Sequence, residues 1–280
     1  MLRKEFLFED DHSSGLPVPI NGVPLDVTSG GCKIFGKLVL PAVAHEGVRT
    51  PVLIMLHGHP GHDRNLDLMF ALKRTGIAVA FFSYRGIWGS HGDYNFTHLM
   101  EDTKAVYEHL CEHAEEWRLD MEHCYLFGHS MGGFTALNSV ANGLPVRGAI
   151  VMAPCDLSYM YENNKDDFQL LMDEKKKGYF TLSDEMSMEK DVEKNYETWR
   201  FTALADRMPK NVPIHFIGGR QDDLTPPSTH IMPMYEKMLE RGASASYAEF
   251  DDGHSFYMNR VALIRLVFDK IAEMEKSLVP

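Results

Sequence analysis

Five short apolar runs set the limits on what this chain can fold into: PVLIMLHG (51–58), GIAVAFFSY (76–84), HCYLFGHS (123–130), RGAIVMAP (147–154) and VPIHFIGG (212–219). Each is nearly continuous rather than alternating in polarity, which is how a strand reads when both of its faces are covered. Turns and helix-like stretches separate them, so the pattern predicts an α/β fold with a mostly parallel central sheet flanked by helices. SASYAEF (244–250) reads as a weaker late strand. KIFGKLVLP (33–41) and LFEDDHSSGLPVPING (7–22) fit antiparallel edge strands and turns. Covering helices are expected over 97–116, where Leu99, Val106, Leu110 and Ala114 recur at helical spacing, and over 258–275.

The rhythm breaks at residues 156–208, where 21 of 53 positions are charged against 24% of the whole chain. The segment lies between two sheet strands, so it is expected to be an inserted helical cap, dividing the chain into core (1–155), cap (156–208) and core (209–280). Its apolar residues, among them Tyr159, Phe168, Leu171, Tyr179 and Phe180, must pack somewhere, and the mouth of the sheet is the nearest place. A net charge of −12 argues against a broad phosphate-binding surface, and therefore against nucleic acid as a partner. No uncharged apolar run approaches the ~20 residues that span a bilayer, so no membrane partner is expected. The start, MLRKEFLFEDDH, is broken by acids too early for a signal peptide, and a cytoplasmic location is the expectation. Cys32, Cys111, Cys124 and Cys155 form no C-x-x-C pair, so they signal neither a zinc site nor a disulfide framework.

Gly128-His129-Ser130-Met131-Gly132 is a G-x-S-x-G sequence that closes a predicted strand and opens a plausible helix. Glycines flank the serine because a sharp strand-to-helix turn leaves no room for neighbouring side chains, and the turn lifts the hydroxyl above the sheet at a helix N-terminus. Ser130 is thus the candidate nucleophile. A serine needs a base and a group to orient that base. Asp222, in the turn after VPIHFIGG, is the first choice of acid, with Asp223 and Asp156 as competitors. His254, in Asp251-Asp252-Gly253-His254-Ser255-Phe256, is the natural base. The oxyanion of acyl transfer needs two amide donors. The Met131 N–H follows the nucleophile directly, and the His59 N–H in His57-Gly58-His59-Pro60-Gly61 is assigned as the second. His57, His59 and His62 could instead converge on a metal, but a Gly/Pro-rich turn already explains the stretch, and no metal is expected. Trp88 is a candidate pocket wall or a packed tryptophan.

Together HGHPG, YRGIWGSHGDY, GHSMGG, GGRQDDLTPP and DDGHSF, in that order, resemble the α/β-hydrolase superfamily from about residue 33 to 275. The order Ser130, Asp222, His254 is the order of that superfamily's triads. The loop Tyr84-Arg85-Gly86 to Gly92 departs from the family pattern through Ile87-Trp88, which makes the spacing R-G-x-x-G-S-x-G. A serine nucleophile disfavours the dehalogenase and epoxide-hydrolase branches, which use aspartate there. Within the superfamily the chain resembles small carboxylesterases of the cinnamoyl or feruloyl type and the catalytic domain of prolyl-oligopeptidase-type peptidases. The resemblance implies an α/β-hydrolase fold and hydrolysis of a small-molecule ester or short peptide without a cofactor. With about 30 residues ahead of the matched part and no β-propeller, a stand-alone esterase is expected ahead of a peptidase or amidase, and a non-catalytic binding protein comes last. Oligomeric state is left open.

Overall fold

The computed structural model describes residues 2–10 and 22–276. Eight strands, β1 (Gly22–Ser29), β2 (Cys32–Val39), β3 (Thr50–Leu56), β4 (Ala78–Phe82), β5 (Leu119–His129), β6 (Gly148–Met152), β7 (Ile214–Gly219) and β8 (Ala245–Phe250), form one sheet in the order β1-β2-β4-β3-β5-β6-β7-β8. β1 and β2 pair antiparallel with each other and β2 with β4; every other pairing is parallel. All five apolar runs are interior strands of this sheet. The N-terminal edge strand begins at Gly22, later than the sequence pattern suggested. Lys4–Leu7 form a 3-10 turn, and residues 11–21 of the expected edge segment lie outside the described residues.

Helices are α1 (Leu66–Arg74), α2 (Phe96–Glu112), α3 (Met131–Ala141), α4 (Leu157–Asn163), α5 (Lys165–Asp173), α6 (Ser187–Trp199), α7 (Phe201–Arg207), α8 (Pro227–His230), α9 (Met232–Glu240) and α10 (Arg260–Lys276). They sandwich the sheet, and the pleat distributes each strand between two cores. In β3, Val52, Ile54 and Leu56 join the larger core with α2 and α3, while Leu53 and Met55 face α1 and α10 in the smaller one. Burial on both faces explains why the strand reads as an unbroken apolar run; each fully buried Leu or Ile contributes roughly 1.5–3 kcal/mol. None of the described helices is long and apolar enough to cross a membrane.

Because β3 to β8 run parallel, the loops that follow them share one edge of the sheet, where open α/β sheets gather ligands. Residues 157–207, between β6 and β7, form α4 to α7. At the end of this stretch Phe201, Leu204 and Ala205 of α7 are buried, and the helix packs on α3 and α9. The earlier part folds over the shared edge. The Thr181 N–H donates to Gly86 O at 2.7 Å and the Tyr94 N–H to Thr181 O at 2.9 Å, stitching this part to the loop between β4 and α2.

Candidate active site

At the end of β5 the chain turns sharply into α3 through Ser130, whose φ of 55° and ψ of −117° lie outside the regions an L-residue prefers. Such a conformation costs of order 1–3 kcal/mol and persists only where the surroundings enforce it. The flanking glycines make the turn sterically feasible. A Cβ on Gly128 would lie 2.2 Å from Gly132 O, and one on Gly132 would lie 2.0 Å from Leu56 O. The Ser130 N–H donates to Met152 O at 2.9 Å, and its carbonyl accepts from Gly133 and Phe134, so the serine caps α3 with its backbone. The turn expected from G-x-S-x-G is therefore present, with Ser130 at its apex and 8% exposed.

His254 and Asp222 meet across the same edge. His254 Nδ1 lies 2.9 Å from Asp222 Oδ2, and Asp222 Oδ1 accepts from the N–H groups of Leu224 at 3.0 Å and Thr225 at 2.8 Å. Burial opposes the Asp222 charge, but the His254 ring and the Thr225 donors outweigh it and hold the carboxyl below its ordinary value. Because the carboxylate only accepts, Nδ1 carries the proton and the Nε2 lone pair is left for a donor. Neither competing acid reaches His254. Asp223 is exposed. Asp156 caps α4, accepting from Ser158 and Tyr159 at 3.0 Å each, and also takes the Phe201 N–H at 3.1 Å.

Ser130 and His254 are neighbours through residue 129. The His129 ring centroid is 5.1 Å from that of His254, and the His129 Nε2–H donates to the His254 carbonyl at 2.9 Å. The Ser130 hydroxyl and the His254 ring are not hydrogen-bonded to each other. Such contacts are often long without substrate and tighten when it binds. Burial, together with the nearby His254, presses the His129 pKa down to about 3, so this ring remains a neutral strut.

The loop after β3 supplies the other wall. A Cβ built on Gly58 would lie 3.2 Å from Ser130 Cβ, which brings the backbone leading to His59 against Ser130. The N–H groups of His59 and Met131 have no acceptor among the described residues. His59 is clamped through its side chain: Nε2 donates to Leu171 O at 3.2 Å, Nδ1 accepts from the Tyr94 hydroxyl at 3.1 Å, and the ring stacks on Phe180 at 4.8 Å. Burial lowers its pKa to about 3, so the ring is neutral and this pattern fixes the tautomer. His57, His59 and His62 are not directed at a common point: His57 leans on Tyr84 at 4.5 Å, while His62 meets Trp88 and Tyr179. Trp88, 40% exposed, donates from its indole to Pro60 O at 2.7 Å and stacks on Tyr179.

Three supporting residues were not visible as such in the sequence. Thr225 is buried and donates its hydroxyl to Asp222 Oδ2 at 2.8 Å, with His254 Nδ1 3.1 Å away. Asp252 accepts from the backbone N–H groups of Met258 at 3.0 Å and Asn259 at 2.9 Å, which fixes the loop carrying His254. Asp63 ties that loop to the one after β3 by accepting from the Ser255 hydroxyl at 2.8 Å. Thr225 and Asp252 stand inside quoted motifs and Asp63 just beyond one, but a hydroxyl or a carboxylate in a turn has too many alternative uses for spacing alone to assign one.

Residues 49–158 match the family model described as serine aminopeptidase, S33. No curated protein sequence matches the chain significantly. Among solved structures, Thermogutta terrifontis esterase 2, phosphoramylated by tabun, is similar with a TM-score of 0.69 at 16% identity, over 92% of this chain and 96% of the esterase. A carboxyl esterase from Bacillus coagulans is similar with a TM-score of 0.67 at 16% identity, over 93% of this chain and all of the esterase. Porphyromonas gingivalis dipeptidyl peptidase 4 has a TM-score of 0.66 at 17% identity over 91% of this chain, which spans 35% of that larger protein. The sheet order, the crossing helices and these similarities make the architecture an α/β-hydrolase fold.

Proposed function

We propose that this α/β-hydrolase-fold protein is a serine hydrolase that cleaves carboxylic esters of small or aromatic acyl groups through an acyl-enzyme intermediate. The observation that carries the proposal is the Asp222–His254 pair docked beside a strained serine elbow. In this reading a rotation of the Ser130 side chain brings Oγ to His254 Nε2. The ring takes the hydroxyl proton as Oγ attacks the ester carbonyl, then returns it to the leaving alkoxide as the C–O bond breaks. Water repeats the sequence on the acyl-enzyme. Asp222 holds the tautomer and stabilises the imidazolium. The His59 and Met131 N–H groups receive the oxyanion; losing one such donor typically costs roughly 10²–10³ in turnover.

Amide hydrolysis is the second reading, favoured by the serine aminopeptidase match over 49–158. A panel of p-nitrophenyl acyl esters, methyl hydroxycinnamates and aminoacyl or dipeptidyl p-nitroanilides separates the two. The proposal expects kcat/KM for the better esters to exceed that for every amide by at least a hundredfold, with all turnover lost in Ser130→Ala. Amides turned over as well as esters would replace it with the peptidase reading; turnover surviving in Ser130→Ala would overturn both.

A further inference from the structure

The C-terminal end of α2 carries a cluster of side chains that the hydrolytic site does not use. His109 and Glu112 lie in the last turn of α2 and His113 is its C-cap, and the i, i+3, i+4 spacing puts the three on one side of the helix end. Each offers one ligand atom, and the three atoms all lie within 4.8 Å of one another. The two imidazole centroids are 4.3 Å apart.

The His113 ring is held as a metal ligand is held. His113 Nδ1 lies 2.9 Å from the His109 carbonyl, which can only accept, so Nδ1 carries the proton and Nε2 presents its lone pair. A second ring nitrogen donating to a backbone carbonyl is the usual means of orienting a metal-bound histidine. Trp117 then backs the pair: its ring stacks on His113 at 4.5 Å and 13° and approaches His109 at 5.6 Å. All three ligands are partly or fully exposed, so an ion can reach them.

We propose that His109, Glu112 and His113 form a binding site for a borderline divalent cation of the Zn²⁺, Ni²⁺ or Cu²⁺ class. Two imidazoles and one carboxylate suit these ions rather than Ca²⁺ or Mg²⁺, which take oxygen ligands. The three protein donors leave at least one coordination position to water. α2 begins at the edge of the sheet that carries Ser130 and runs back to the start of β5, about 25 Å for 17 residues. The cation is therefore not part of the ester chemistry, and this site stands whether or not that reading does.

Full-length protein stripped with EDTA and dialysed is titrated with ZnCl₂ by calorimetry. The expected result is one ion per chain, with affinity reduced about 100-fold or more in His109→Ala and in His113→Ala. That exceeds the roughly 10–100-fold typical of losing an outer-shell partner. Cys111→Ala, which removes the thiol nearest in sequence, binds as the parent does. CuCl₂ quenches the fluorescence of Trp117, the tryptophan against the site, and the quenching component missing from Trp117→Phe is also missing from the double histidine variant. Circular dichroism checks that each variant keeps the parent fold. Zn²⁺ affinity unchanged in both histidine variants, affinity lost in Cys111→Ala, or no binding up to millimolar ZnCl₂ would each overturn the site.

Discussion

Replacing Asp222 by asparagine tests how the acid works, because the structure dictates which way the new amide must point. The N–H groups of Leu224 and Thr225 both donate to Oδ1 at 3.0 and 2.8 Å, so the amide oxygen stays there. The NH₂ then falls where Oδ2 was, 2.9 Å from His254 Nδ1. A donor at that place requires a lone pair on Nδ1, which moves the ring proton to Nε2 and removes the base that should accept the Ser130 proton. The neutral amide also stops stabilising the imidazolium. A triad with this substitution loses on the order of 10⁴ in kcat, which is about 5.4 kcal/mol of barrier at about 1.36 kcal/mol per decade. The fold should survive, because the Thr225 hydroxyl can accept from the new NH₂ and turn its own hydrogen to Ala153 O at 3.3 Å. Steady-state hydrolysis of p-nitrophenyl acetate, with thermal melting as a control, measures both effects. Asp223→Asn should lie within twofold of the parent, since Asp223 is exposed. An Asp222→Asn variant keeping more than a tenth of parental kcat with an unchanged melting temperature would show that Asp222 does not set the His254 tautomer, as would a larger loss at Asp223.

Stability should fall as pH drops below 6.5. Burial pushes the pKa of His57 to about 4, His59 to about 3, His129 to about 3, His215 to about 4 and His230 to about 4. For depressed histidines the stabilising contribution is present above the unfolded pKa of about 6.5 and is lost as pH falls towards the folded values. Asp156, raised by burial to about 6, works the other way: its contribution favours the folded state at low pH and is lost as pH rises from 3.8 through 6. Five imidazoles against one carboxyl leave a net uptake of protons on unfolding below pH 6.5, so stability falls with pH. Melting curves between pH 7.5 and 5 should show a steady drop; equal melting temperatures at both ends would contradict it. Gly132→Ala should lose more than about 3 kcal/mol or fail to accumulate as folded protein, because its Cβ would lie 2.0 Å from Leu56 O, a backbone atom that cannot swing aside. Chemical denaturation of any soluble product measures this, and stability within 1 kcal/mol of the parent would show that the elbow is looser than described.

The sheet was legible because a strand covered on both faces has one sequence solution, an unbroken apolar run, and five of the eight strands have it. β1 lacks it: its residues alternate between exposed and buried, as in GVPLDVTS, and Pro24 obscures the pattern further. The elbow was legible for a similar reason, since no residue but glycine fits at 128 and 132. Distance in the chain concealed the rest. Nothing in the sequence tells that the Leu171 carbonyl and Phe180 ring clamp His59, because a carbonyl has no identity and an aromatic in a charged insertion can pack in many ways. His129 occupies the freely variable position of its motif, so its bond to the His254 carbonyl emerges only from the fold. Thr225 stood in a quoted motif, yet only its position three residues after Asp222 in a tight turn makes its hydroxyl a partner of the carboxylate.

Hydrolysis by the proposed route requires Ser130 to be an activated nucleophile served by His254. Incubating the protein with a fluorophosphonate, digesting it and mapping the adduct by mass spectrometry measures this directly. The expected outcome is one adduct per chain on the peptide containing Ser130, absent in Ser130→Ala and formed at least a hundredfold more slowly in His254→Ala. An adduct on another residue, or labelling of Ser130 at an undiminished rate without His254, would contradict it.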